Sequence, residues 1–362
     1  MKRILLFAFL PLITFILSSC GGGKKNATGP EDKIYVVADS LEFEIMSSAL
    51  DSVFGKIIYT PQPEKSFELI RRDFYMLEDL KTLKNIIILA PLNSNSIVSQ
   101  YVNSILDSTV KSKVQADSEF VFNKYDLWAV NQLVMILTSP DAEKLQANML
   151  KEKENLLYYF QKISNRRLAE GLYNDKYENK EAEAKLLSDY GWMIYVQNDF
   201  TIALNKPEDN FVWLRRAPNS EMERWVFVHW IEDASPEFLN PDSIMMERNK
   251  ITQKYYRTSD EKGHVKISED FLTSSEVNFL GRYAILTQGL WEMSDRSMGG
   301  PFINYTFYDM KTRRVYMVDG SIYAPRYYKK ALIQQVDVLL QSFMTEDELK
   351  EADKKEILNA LK

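Results

Sequence analysis

This chain contains a single cysteine, Cys20, and its position decides what the remaining residues have to fold with. It closes a leader. Met1-Lys2-Arg3 is a short basic head, Ile4 to Leu17 is almost entirely apolar, and Ser18-Ser19 stands directly before the sulfur. That order is the signature of a bacterial lipoprotein signal peptide, in which residues 1–19 are removed and the cysteine becomes the lipidated first residue. The apolar run is shorter than the roughly 20 residues that cross a bilayer as a helix. A sulfur that carries lipid forms no disulfide, so the body has only packing to hold it together. The expected attachment to the membrane is this lipid anchor. A covalent lipid on Cys20 is the only non-protein group expected, with no cofactor.

Residues 20–31 begin Cys20-Gly21-Gly22-Gly23-Lys24-Lys25 and read as a flexible tether between membrane and body. Beyond it, composition supports a real core: 45% of the chain is hydrophobic and 12% aromatic, far from disordered usage. The net charge is −6, and it grows more negative once Lys2 and Arg3 leave with the leader. Nothing resembles a basic groove, which excludes nucleic acid as a partner.

The body divides into an N-terminal half over residues 32–163 and a C-terminal half over 186–345. A charged connector covers 164–185 and a polar tail 346–362. In the first half Lys33 to Ala38 and Ile86 to Ala90 read as strands. Asp39-Ser40 caps a helix running to Phe54, and a second helix covers Ile97 to Leu106. Trp128 to Leu137 reads as one long or two short strands. Ser139-Pro140 reads as the cap of a helix from Asp141 to about Ile163. In the second half Phe200–Leu204, Phe211–Arg216 and Arg224–Trp230 are strand-length runs spaced like an antiparallel meander, followed by a helix from Pro241 behind Asn240. Arg282–Gln288, Tyr305–Tyr308 and Arg313–Val318 read as further strands, and Tyr327–Phe343 as a closing helix. The fold class expected is α+β: two packed halves, each a mostly antiparallel sheet covered by helices.

The passage from Gly289 to Phe302 is the strongest candidate for a ligand groove. Trp291 would form a wall and Arg296 a donor to an anionic or hydroxylated ligand, with Glu292 and Asp295 beside them. Gly299 and Gly300 would permit special backbone geometry, and Pro301 would direct the exit. The competing expectation is a long inter-strand connection folded back on the sheet, with Arg296 paired to one of the two acids.

Gly289-Leu290-Trp291, Met298-Gly299-Gly300-Pro301-Phe302, and Gly320-Ser321-Ile322-Tyr323-Ala324-Pro325 with Lys329-Lys330 form a distinctive set. With Pro61-Gln62-Pro63-Glu64, Phe67 and the leader, they resemble an uncharacterised lipoprotein family of Bacteroidota, known as a domain of unknown function. The resemblance runs from Cys20 to about Phe343. It implies an envelope lipoprotein and supplies no activity. Surface-exported lipoproteins of that phylum often carry an acidic patch after the cysteine. Gly21 to Lys25 lacks one, so the periplasm-facing side is expected rather than the surface. By the same resemblance, Asp39-Ser40-Leu41, Asp51-Ser52-Val53 and Asp242-Ser243-Ile244 are similar to short O-glycosylation sites.

Catalytic signatures are missing. His229 and His264 are the only histidines, and His229 lies within an apolar strand. No metal site and no thiol nucleophile are expected, and no catalytic residue is assigned. Acidic pairs such as Glu232 and Asp233 keep a carboxylate-dependent hydrolase in view. Trp192, Trp213, Trp225, Trp230 and Trp291 would suit stacking on sugars or filling a sheet interface. The reading that results is an envelope lipoprotein with a noncatalytic binding or scaffolding role towards an envelope protein partner. A glycan- or small-ligand-binding lipoprotein is the first alternative and the hydrolase the second.

Overall fold

The computed structural model describes residues 23–258 and 260–362. Cys20 and the leader lie outside the described residues. Its architecture is α+β, in two packed halves built on two large sheets with helices against them.

The first half contains strands β1 (Lys33–Val37), β2 (Ile57–Tyr59), β3 (Pro63–Lys65), β4 (Glu68–Arg72), β5 (Asn85–Leu89), β6 (Val121–Tyr125) and β7 (Leu133–Leu137). Its helices are α1 (Ser40–Phe54), α2 (Leu77–Leu80), α3 (Ile97–Ile105), α4 (Ser108–Gln115), α5 (Ala142–Lys151) and α6 (Lys153–Leu172). Five strands form a sheet in the order β4-β1-β5-β7-β6, with β2 and β3 a separate hairpin. Here the pairing differs from expectation: β4, β1, β5 and β7 run parallel, and only β6 is antiparallel. The reason is visible in Asn85–Leu89 and Leu133–Leu137, where every residue is buried. Alternation would mark a sheet wet on one face, whereas a continuous apolar run marks one covered on both. Met46, Leu50, Leu145, Leu156 and Phe160 cover one face, and Leu77, Leu80, Val98, Val102 and Val114 cover the other.

The second half contains α7 (Lys180–Tyr190), β8 (Trp192–Met193), β9 (Phe200–Lys206), β10 (Phe211–Arg216), β11 (Glu223–Ile231), α8 (Pro241–Tyr255), β12 (Val265–Ile267), β13 (Thr273–Phe279), β14 (Arg282–Met293), β15 (Gly299–Asp309), β16 (Arg314–Tyr323), α9 (Lys330–Leu340), β17 (Met344–Thr345) and α10 (Glu351–Leu358). Eight of these strands make an antiparallel sheet in the order β12-β14-β15-β16-β11-β10-β9, with β13 also paired to β14. On one face α9 and α7 bury Leu332, Val336, Leu339 and Leu186 against Val226, Val228, Val318 and Ile322. Helix α9 can lie this close because residue 320 is glycine. A Cβ there would stand 2.0 Å from Val336 Cγ1.

On the other face α8 buries Ile244 and Ile251 beside Phe227, Trp225 and Trp291. Arg248 enters this core as well. Its Nε donates to Asp319 Oδ2 at 2.7 Å, its Nη2 donates to Ser321 Oγ at 3.2 Å, and its guanidinium lies 3.7 Å from the Phe302 ring centre. A charge so deep is tolerable only because it is paired and hydrogen-bonded, and Asn304 Nδ2 supplies Asp319 with a further donor at 3.1 Å.

Several local expectations shift. The cap of α5 is Asp141, whose Oδ1 accepts the Lys144 N–H at 2.9 Å, so Ser139-Pro140 precedes the cap. The single helix expected from Asp141 is two, broken at Glu152, and the second runs through the charged segment to Leu172. Within the tail, Glu351–Leu358 is helical. Residues 26–28 of the tether are tied down: Ala27 N–H donates to Val130 O at 2.8 Å and Thr28 N–H to Thr82 O at 2.7 Å.

The passage from Gly289 to Phe302 is mostly strand. Register pairs Trp291 with Gly300 and Glu292 with Gly299, leaving a five-residue turn at 294–298. Trp291 is 1% exposed, and its Nε1 donates to Ile322 O at 3.2 Å. Gly300 is required by proximity: a Cβ there would lie 2.0 Å from that same Ile322 oxygen. Arg296 sits at the turn with φ of 60°, held by its N–H to Met293 O at 2.8 Å.

Two tests follow from this packing. Gly300→Ala is expected to cost about 1–3 kcal/mol, because a strand carbonyl cannot move aside as a side-chain end can. Arg296→Ala should leave the urea midpoint unchanged, and equal midpoints for the two variants would contradict the close approach. The second concerns Glu183 on α7, whose Oε1 accepts the Val196 N–H at 2.7 Å. Burial pushes its carboxyl up to about 8, with Glu178 adding to the effect. A carboxyl raised on folding holds a proton that the unfolded chain has lost. Its contribution is therefore full below about pH 4.3 and lost as pH rises through about 8. Glu183→Gln should flatten the fall of Tm across that window, and an unchanged slope would exclude Glu183 as its source.

Candidate functional site

A helix is about 10 Å across and strands lie about 4.8 Å apart, so one helix covers roughly two strands. Helix α9 packs on β16, β11 and β15, which leaves the β13–β14 end of the sheet extending past it. Val277, Leu286, Gln288, Ile303 and Tyr305 present one face of that overhang. Opposite stand the β2–β3 hairpin and the α6 residues Leu157, Tyr158, Gln161 and Asn165. Between them lies a cleft of about 2,090 Å³.

Three sets of contacts hold its walls at this separation. Glu64, at the end of the β2–β3 hairpin, accepts the N–H groups of Lys329 at 2.8 Å and Lys330 at 3.2 Å, at the start of α9. The hairpin also receives Lys329 Nζ on Gln62 Oε1 at 2.7 Å, while Lys330 Nζ donates to Ser66 O at 2.8 Å. Burial lowers the pKa of both lysines. Deeper in, α6 meets α9. Gln334 Nε2 donates to Ser164 Oγ at 3.0 Å and to Asn165 Oδ1 at 2.8 Å, and the Tyr173 hydroxyl donates to Val338 O. At the mouth, the exposed rings of Tyr59 and Phe271 stack across the gap with centroids 3.9 Å apart and planes 11° from parallel.

Asp337, half-buried on α9, lines the cleft beside Tyr305. Oδ1 accepts both the Tyr305 hydroxyl at 2.6 Å and Gln341 Nε2 at 3.1 Å. Burial raises the Asp337 carboxyl above its ordinary range, opposed by the hydrogen bonds of Tyr305, Gln341 and Asn165. Burial also raises the Tyr305 hydroxyl far above the usual tyrosine value, and the neighbouring Asp337 reinforces it. Asp337 has no ion-pair partner among the described residues.

The residues singled out in sequence fall elsewhere. Trp291 is in the core under α8, because strand alternation turns it away from the face that Gln288 shares with Ile303. It therefore offers no wall to a ligand. Glu292 pairs with Lys266 at 3.1 Å, Asp295 accepts Ser297 Oγ at 2.6 Å, and Arg296 is on the exposed turn. Of that passage Gly289, Pro301 and Phe302 reach the cleft. Cys20 lies outside the described residues. His229 is buried, with Nδ1 3.0 Å from Asn210 O and Nε2 3.3 Å from Glu247. Glu232 and Asp233 pair with Arg314 and Arg313. Ser40 and Ser52 are exposed on α1, and Ser243 is half-buried in the first turn of α8. Among the described residues no group of three or more His, Cys, Asp or Glu is placed to hold a metal, and no helix is long and apolar enough to cross a membrane.

Sequence reasoning missed the cleft but touched its frame. Pro61-Gln62-Pro63-Glu64 and Lys329-Lys330 stood out as separate motifs, and the fold joins them. Asp337 left a fainter signal, a lone acid on the side of α9 away from Leu332, Val336 and Leu339.

Residues 27–173 match the model of a domain of unknown function (DUF8532), and residues 178–342 match that of another (DUF4837). No curated protein matches the chain. Among solved structures it is similar to the Ran-binding protein Mog1p of Saccharomyces cerevisiae, at 11% identity and a TM-score of 0.28. That alignment covers 44% of this chain and 92% of that one. It is also similar to a mutant of protein Mog1, at 10% identity and a TM-score of 0.27, covering 43% and 90%. Two domains of unknown function are thus present in succession, their matches meeting between α6 and α7.

Proposed function

We propose that this chain is a noncatalytic binding protein of the bacterial envelope, anchored by lipid on Cys20 and facing the periplasm, that receives a segment of a protein partner in the cleft between its halves. The observation that carries the reading is the size of the cleft. Small-molecule sites occupy about 300–1,000 Å³, and a cleft of about 2,090 Å³ suits a stretch of polymer better. Its lining mixes apolar sheet residues with hydrogen-bonding side chains, and its rim carries Tyr59, Tyr158, Phe271 and Tyr328 as exposed rings. Large amphipathic rings of this kind are what partner-binding surfaces favour. The acidic pair named for a hydrolase, Glu232 and Asp233, is engaged in surface ion pairs away from the cleft.

A photocrosslinking residue, p-benzoylphenylalanine, placed at Tyr158 in the native host tests the reading. It should capture a discrete protein adduct, and the same residue at Met310, exposed on the β15–β16 turn, should not. Equal capture at both positions, or none at 158, would overturn the cleft as the partner site. The anchor has its own test. Cys20→Ala should abolish incorporation of labelled palmitate, and label persisting in the variant would defeat the lipid assignment.

A further inference from the structure

We infer that Asp337 and Tyr305 form a subsite for a cationic group, an ammonium or guanidinium carried by a lysine or arginine of the segment in the cleft. This rests on the reading of the cleft as a polypeptide site. Of the six well-buried acids among the described residues, three face a cation. Asp319 faces Arg248, Glu223 faces Arg215, and Glu247 lies against His229 and Lys250. The other three, Glu183, Glu42 and Asp309, accept from neutral donors: the Val196 N–H, the Ser94 hydroxyl, and the N–H and hydroxyl of Thr312. What sets Asp337 apart is its place: none of these six lines the cleft, and Asp337 does.

At Asp337 the Tyr305 hydroxyl and the Gln341 amide converge on Oδ1, and Asn165 adds a further neutral donor, which together orient the carboxylate without supplying a countercharge. The nearest cation of the same helix, Lys330, is committed to the carbonyls of Lys65 and Ser66. Lys330 therefore does not compete for the position. A half-buried carboxylate without a countercharge carries a desolvation cost that an arriving cation would offset with a charge-assisted hydrogen bond. The surroundings also fit the stem of such a side chain. Ile333, Val338 and Ile303 would cover its methylenes, and the Tyr173 ring lines the same space.

The test selects a random dodecapeptide phage library on the full-length protein in detergent, with Asp337→Asn and Tyr305→Phe in parallel. Wild type should enrich peptides with lysine or arginine at one fixed position. Asp337→Asn should lose that preference and bind the enriched peptides at least tenfold more weakly, while still selecting the apolar positions around it. Tyr305→Phe, which frees the carboxylate to reorient, should weaken the preference without abolishing binding. Equal melting temperatures for wild type and Asp337→Asn keep misfolding out of the comparison. Peptides enriched without a basic position, or a basic position that survives in Asp337→Asn, would overturn the subsite and leave the polypeptide reading standing. No peptide enrichment, with binding on an oligosaccharide array instead, would overturn the polypeptide reading itself. Cadaverine titrated against wild type and Asp337→Asn would then report on the carboxylate alone: binding lost in the variant keeps the cation subsite, and equal binding ends it.

Discussion

The carboxylate of Glu64 at the start of α9 is the contact on which the arrangement of this protein turns. A helix N-terminus offers unpaired N–H groups and a partial positive charge, and a carboxylate meets both needs at once. Here the donor helix belongs to the second half and the acceptor to the first, more than 260 residues away along the chain. The hairpin that delivers Glu64 is stiffened by Pro61 and Pro63, and the Thr60 hydroxyl also donates to the carboxylate. With Lys329 buried against Gln62 on one side and Lys330 on the carbonyls of residues 65 and 66 on the other, the joint leaves little freedom to slide.

Helix α9 passes that constraint to everything around it. One side sinks Val336 into the notch made by Gly320, so its height above the second sheet is set by contact. Another side carries Gln334, Asp337 and Gln341 into the cleft and against α6. Because the helix can cover only part of an eight-stranded sheet, the β13–β14 end must be covered by something else or remain a wall. The first half stands across from it without filling it, and the cleft is the space left over. A cavity of this kind is built by a mismatch in width between layers, which explains why the motifs along its lining did not reveal it locally.

The two halves also solve burial differently. The first sheet is largely apolar on both faces, with Asn85 at the start of β5 a buried exception that donates to Glu31 O and Lys33 O and accepts from Arg167 Nη1. The second accepts a buried polar network under α8, where Arg248 reaches Asp319, Ser321 and Asn304 and rests on Phe302. An apolar core of equal volume would often be as stable, but this network's directional bonds tie α8 to β16 at Asp319 and Ser321. That seating holds Trp291 in the core, and so removes the aromatic wall that its sequence neighbourhood had suggested.

Much of the local structure was legible in the residues themselves. Asp39 and Asn240 cap the helices they precede, and the runs at 200–204, 211–216 and 224–230 are strands of a meander, because caps and alternation depend only on neighbours a few positions away. Unbroken apolar runs at 86–89 and 133–137 even carried the sign of a doubly covered parallel sheet, overlooked beside the expectation of antiparallel pairing. What the residues could not disclose were relations across long separations. The match of Glu64 to the α9 N-terminus, the turning of Trp291 to one face by a register of pairs, and the exposure of Asp337 to a cleft all depend on which surfaces meet. By itself the sequence determined the elements, the core composition and the acidic, cysteine-poor character of the body. Only the tertiary structure decided where a site is, since the cleft arises from the widths and separation of whole layers, quantities that no short stretch of chain encodes.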